Sequence, residues 1–264
     1  MSTEPNTWNA SAAAAAVAAR KISATELVTA CLDRIASREP EIGAWTFLDR
    51  ERALAEARAR DAEAPRGPLH GVPVGIKDII DTADMPTTYG SPIYSRHRPA
   101  IDAACVSLIR RAGGIPLGKT VTTEFAYFAP GKTKNPRNPK HTPGGSSSGT
   151  AAAVADDMVP VALGTQTAAS IVRPATFCGV VGYKPTIGMY ALAGIKPFAA
   201  SFDTLGTLTR SVEDAMLMWR VLHADDRPLP ARTDPPRIGL CRTPQWTHAE
   251  PADVDAFETA ASKV

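Results

Sequence analysis

Residues 144–173 read GGSSSGTAAAVADDMVPVALGTQTAASIVR, and the order of their patterns decides the fold. A glycine-serine loop, Gly144 to Gly149, opens onto small residues that fit a helix over 150–156. The apolar run behind it fits a strand over 159–164, and that strand runs into a second small-residue turn, Gly164 to Ser170. Helix and strand in such close alternation belong to an α/β sheet. The two turns carry serines, Ser146 and Ser170, 24 positions apart.

The same alternation extends in both directions. Upstream, GVPVGIKDII (71–80) predicts a strand over 72–79 with one lysine, Lys77, inside an otherwise apolar run. A lysine so placed is expected to do chemistry. A helix over 102–112, capped by Asp102 and stopped by Gly113-Gly114, leads to a strand over 115–119. Downstream, Ser211 and Asp214 cap a helix over 212–223, the Pro-rich run 228–236 reads as a surface connection, and RIGLCRT (237–243) reads as the start of another strand. Residues 8–65 read as helices, with a Ser23/Glu26 capping box and Asp49 ahead of a charged helix over 50–63. The expected organisation is an N-terminal helical segment, 1–66, packed on an α/β core, 67–264.

A chain of 264 residues with 44% hydrophobic side chains buries a large core, which excludes a disordered protein. The net charge of +2, with acids and bases interspersed, offers no electrostatic reason for nucleic acid or an anionic membrane as partner. A small-molecule partner is expected, with a homodimer as the candidate assembly. Cys31, Cys105, Cys178 and Cys241 lie far apart in apolar stretches with no metal-ligand spacing, so reduced core cysteines and no metal site are expected. The run Ala12 to Ala19 follows Glu4, lacks a basic flank and is too weakly apolar for a signal peptide. No stretch approaches the roughly 20 apolar residues that span a bilayer, and cytoplasm is the expected compartment.

Serine is a poor nucleophile at neutral pH, so a working serine needs a base within hydrogen-bond reach and donors for an oxyanion. None of the five histidines, His70, His97, His141, His223 and His248, falls in either serine turn, and surface or loop positions are expected for all of them. Lysine is left as the base, and burial favours its neutral form.

The GIK segment, the PGGSSSGTAAAVA loop (143–155) and the stretch GTQTAASIVRPATFCGVVGYKPT (164–186) together resemble the amidase signature family of serine hydrolases, in order and spacing as well as in wording. The likeness covers about residues 10–250 and is closest in appearance to small bacterial amidases of the malonamidase type. It implies the amidase signature fold, a central twisted mixed β-sheet covered by helices on both faces. It also implies a Ser-cisSer-Lys triad that cleaves a small carboxamide through an acyl-enzyme, without metal or cofactor. By correspondence Ser170 is the nucleophile, Ser146 the bridging serine on a cis peptide, and Lys77 the base. The backbone N–H groups of Thr167, Ala168, Ala169 and Ser170 correspond to the oxyanion hole. The family's enzymes are considerably longer, so the resemblance also implies a continuation beyond Val264.

Three departures bear on function. Gln166 stands where most of the family has aspartate, and Val172-Arg173 places the arginine one position later than usual. Arg173 is then expected either to hold a substrate carboxylate, as in malonamate, or to bond a loop carbonyl. Ala168-Ala169 replaces the usual Gly-Gly, which would strain the turn if either position required positive φ. These alanines keep open a second reading, a catalytically silent or partner-dependent amidase-fold protein of the tRNA-dependent amidotransferase kind. Gly113 to Thr120 also spells a phosphate-loop pattern, but a helix before it and a strand through Lys119 are the reverse of what that motif requires.

Overall fold

A computed structural model describes residues 4–224 and 234–263. The polypeptide divides into two compact units, 1–226 and 227–264. The larger is built on six strands: β1 (Trp45–Leu48), β2 (Pro73–Lys77), β3 (Ile115–Thr120), β4 (Val161–Gln166), β5 (Val181–Tyr183) and β6 (Thr204–Thr209). They lie in the order β1-β3-β2-β4-β6-β5. β2 runs parallel to both β3 and β4, while the β1/β3, β4/β6 and β5/β6 pairs are antiparallel, so the sheet is mixed.

Seven α-helices accompany the sheet among the described residues of this unit: α1 (Ala10–Ala18), α2 (Ala24–Ile42), α3 (Arg50–Asp61), α4 (Ala104–Arg111), α5 (Ser148–Ala155), α6 (Val172–Cys178) and α7 (Val212–His223). Successive strand side chains point to opposite faces, and both faces are buried. Ala162 of β4 enters a core with Leu27, Cys31 and Ala151, whereas its neighbours Val161 and Leu163 enter another with Ile109 and Met218. This is the α/β sheet that the alternation predicts, covered on both sides as the family resemblance implies. The helix over 212–223 forms as expected, with Ser211 Oγ accepting from Asp214 N–H, and the Ser23/Glu26 capping box forms on α2.

The interior of the sheet places the site. Gly149, in the first turn of α5, sits against the end of β3: a Cβ there would stand 2.2 Å from Ala44 O and 2.4 Å from Val121 N. Only glycine admits that approach, which brings the serine loop onto the sheet. Among the described residues no helix is long and apolar enough to cross a membrane.

Several expectations are corrected. β1 falls inside the stretch read as helical, because WTFL pairs with β3 and a four-residue edge strand leaves little periodicity to detect. Asp102 does not cap α4. Ala103 occupies that position, and the Asp102 carboxylate accepts from Ala83 N–H and Arg110 Nε–H. His70 is buried, its Nδ1 accepting from Arg66 N–H and its Nε2 lying 3.0 Å from Arg60 O. Lys119 lies in β3 with its ammonium buried against Ile80 O, Thr87 Oγ1 and Asp78, which leaves no phosphate loop at 113–120.

The smaller unit holds a 3-10 turn, Pro244–His248, and helix α8 (Pro251–Ala261), joined by a Trp246–Phe257 edge contact and an Arg242–Glu258 ion pair at 2.6 Å. Its stretch 237–243 forms no strand, since among the described residues it has no ladder partner, and Ile238, Leu240 and Cys241 are exposed. Cys31, Cys105 and Cys178 are free and buried. Most of the Pro-rich run 228–236 lies outside the described residues.

Candidate active site

The parallel neighbours β2 and β4 carry the first two parts of the site at their C-terminal ends, where functional groups of α/β sheets gather. Lys77 closes β2 and is fully buried. Its Nζ lies 2.8 Å from Ser146 Oγ, 2.8 Å from Thr165 Oγ1 and 3.3 Å from the Thr165 carbonyl oxygen. No carboxylate pairs with it among the described residues. Burial pushes its ammonium down from an ordinary 10.5 to about 7, against the opposing charge of Asp203.

The serine loop meets Lys77 from the other side. The Gly145-Ser146 peptide is cis. Thr123 N–H donates to Ser146 O at 3.1 Å, so both the carbonyl and the hydroxyl of Ser146 are held. Ser147 Oγ donates to Thr165 O and Ser148 Oγ to Val121 O, which makes these two serines loop fasteners.

Ser170 begins the turn into α6 and is 9% exposed. The Ser147 N–H donates to its carbonyl at 3.2 Å, which joins the two serine turns directly. Its Oγ makes no hydrogen bond among the described residues. Nor do the N–H groups of Thr167, Ala168, Ala169 and Ser170 donate to any described residue, whereas the next two, Ile171 and Val172, are both taken by Gln166 Oε1 at 2.8 and 3.0 Å. Neither Ala168 nor Ala169 has positive φ, so their methyl groups impose no backbone strain.

Gln166 is a positioning element whose role the sequence left open. Its Oε1 closes the start of α6, and its Nε2 donates to Ala168 O at 2.8 Å, so one neutral side chain spans the turn from 168 to 172. Gln166→Ala is expected to leave the buried Ile171 N–H unpaired at about 1–3 kcal/mol. Gln166→Glu keeps the acceptor but loses the donor. Thermal unfolding should therefore rank wild type above Gln166→Glu above Gln166→Ala, and equal melting of all three would rule out the staple.

Arg173 bonds a loop carbonyl through two of its three nitrogens: its Nε and Nη2 both donate to Gly145 O, at 3.1 and 2.7 Å, bracing the peptide that carries Ser146. Thr165 and Asp203 were missing from the expected set. Asp203 accepts from Thr167 Oγ1 and from the N–H groups of Phe198 and Ala199. A separation of 36 residues between Thr167 and Asp203 leaves no local pattern to signal it.

The family model described as Amidase matches residues 26–264. The A subunit of a glutamyl-tRNA(Gln) amidotransferase from Anaeromyxobacter sp. (strain K) is 44% identical over 224 residues, covering 81% of this chain and 46% of its own. The corresponding protein from Chloroflexus aggregans is 40% identical over 265 aligned positions, covering 96% and 52%. Among solved structures, the native peptide amidase from Stenotrophomonas maltophilia superposes with a TM-score of 0.79 at 38% identity, over 86% of this chain and 51% of that one. The A subunit of the glutamyl-tRNA(Gln) amidotransferase from Thermotoga maritima gives 0.72 at 32%, over 84% and 48%. The chain spans about half the length of the curated relatives it matches.

Proposed function

The chain belongs to the amidase family, and on that premise we propose that it hydrolyses a small carboxamide to the acid and ammonia, with Ser170 as nucleophile, Ser146 as bridge and Lys77 as base. The observation that carries the proposal is a fully buried lysine, with no carboxylate partner among the described residues, 2.8 Å from a serine hydroxyl. A neutral amine there donates to Thr165 and keeps its lone pair for the Ser146 proton.

In the proposed sequence Ser170 Oγ attacks the amide carbon as its proton passes to Ser146 and the Ser146 proton passes to Lys77. The oxyanion lodges among the unspent N–H groups of 167–170. The Lys77 ammonium returns its proton through Ser146 to the amide nitrogen, the C–N bond breaks, and ammonia leaves an ester on Ser170. Water then repeats the relay and frees the acid. The Ser170 to Ser146 contact is the one leg still open, and such contacts commonly tighten only with substrate in place.

The glutamine at 166 is the feature of the nucleophile turn that resembles malonamidase-type enzymes, and together with the nearby Arg173 it supports an acidic amide such as malonamate as substrate. The Nη1 of Arg173 makes no hydrogen bond among the described residues and is left for one oxygen of such a carboxylate. A second reading, a partner-dependent protein passing ammonia onward, is favoured by the amidotransferase names of the curated relatives. The test is ammonia release from malonamate, malonamide and an aryl amide by the isolated chain. Release from any of them supports the hydrolase, and none from folded protein favours the partner-dependent reading.

A further inference from the structure

A cavity of about 250 Å³ lies beside the nucleophile turn, with Thr165, the partner of Lys77, and Thr167 in its wall. Ile79, Leu192 and Phe198 give it apolar sides, and two residues with charged side chains, Asp203 and Lys196, are among those that line it. They differ in what they have left to offer. Both Asp203 oxygens are occupied, by Thr167 Oγ1 and by the N–H groups of Phe198 and Ala199. The Lys196 ammonium has no hydrogen bond or ion pair among the described residues. It is held by three aromatic faces instead, 5.1 Å from the Tyr89 ring centroid, 5.4 Å from Tyr94 and 5.6 Å from Phe125.

Cation–π contact holds the ammonium without supplying an anion or an oxygen acceptor, so its charge is left unneutralised among the described residues and open to an anionic guest. The backbone around the cage is built for this placement. Tyr89, Phe125 and Ala126 all adopt positive φ, at 55°, 50° and 61°, a conformation that bulky residues keep only where the surroundings enforce it. Phe125 N–H donates to Tyr89 O, which ties two of the rings together. Lys196 N–H donates to Ile79 O at 3.1 Å, two residues beyond Lys77, so the cation is referenced to the strand that carries the base. Arg173, by contrast, has two of its nitrogens on the Gly145 carbonyl.

We propose that Lys196 is a specificity-determining residue, receiving a carboxylate of the substrate in this cavity while the amide lies at Ser170. The substrate class is then an amide bearing a second, anionic end, and Lys196 rather than Arg173 is its main anchor. The proposal rests on the hydrolase reading for its purpose, but it is tested by binding alone.

Calorimetric titration of the full chain carrying Ser170→Ala with succinamate, and with its neutral isostere succinamide, reads the contact without turnover. Adding Lys196→Met is expected to weaken succinamate about tenfold or more and leave succinamide unchanged, and Lys196→Arg is expected to restore most of the loss. Circular dichroism confirms that each variant is folded. Equal succinamate affinity with and without Lys196, no succinamate binding at all, or parallel losses for both ligands would overturn the proposal. Ammonia release by the wild-type chain is scored separately: binding that depends on Lys196 with no release supports the anchor and sinks the hydrolase.

Discussion

Ser170→Ala is expected to lower amide hydrolysis by roughly ten-thousandfold or more while leaving the melting temperature close to that of the wild type. The size follows from removing a nucleophile whose covalent intermediate splits one hard step into two. The stability side follows from geometry. Ser170 is held through its backbone, by Ser147 N–H at its carbonyl, and its Oγ makes no hydrogen bond among the described residues. Deleting that oxygen therefore breaks nothing the fold depends on. Ser147→Ala and Ser148→Ala make the useful contrast, since their hydroxyls tie the loop to Thr165 O and Val121 O. They should lower stability modestly, by about 1 kcal/mol each, and reduce turnover far less than Ser170→Ala. A Ser147 or Ser148 variant as inactive as Ser170→Ala would misplace the nucleophile.

The second large effect is the pH dependence set by Lys77. Its ammonium titrates near 7 in the fold because burial disfavours the charge. A base must be neutral, so kcat/KM should rise about tenfold per pH unit below 7 and level off above it. Stability follows from the same shift. Between about pH 7 and 10.5 the unfolded chain holds a proton that the folded chain has released, so folding becomes more favourable as pH rises through that window. Below 7 both states are protonated, and the cost of burying the charge is constant. Lys77→Met should erase hydrolysis to a similar degree as Ser170→Ala and flatten the stability profile over that window. Asp203 opposes the fall of the Lys77 pKa, so Asp203→Asn should move the activity limb to lower pH. Substantial hydrolysis by Lys77→Met with its limb still near 7, or a limb unmoved by Asp203→Asn, would assign it to another group.

What the sequence revealed was whatever repeats within a short window. Lys77 stood out because one cation interrupts a run of strand-like apolar residues, and the serine loop because glycines and serines expose backbone. The alternation around them was enough for an α/β sheet, and the family resemblance implied the helices on both faces. The antiparallel strands were harder: β1 is four residues long and β5 three, too short for a period of two to show. The supports of the site were hidden for a different reason. Thr165 looks like any strand threonine until the lysine on the neighbouring strand is seen to bond it, and Asp203 reaches Thr167 only through the fold. Arg173 shows what sequence alone leaves open, since its bond to a loop carbonyl depends on where Gly145 lies. The Ala168-Ala169 departure is resolved the same way, by φ values no sequence displays.

The most direct test of the central claim, that Ser170 is a nucleophile activated by Lys77 through Ser146, is covalent labelling with a fluorophosphonate followed by peptide mass spectrometry. The expected result is a single adduct on Ser170, strongly suppressed in the Lys77→Met variant. An adduct on Ser146, Ser147 or Ser148 instead, or Ser170 labelling that is indifferent to Lys77, would contradict it.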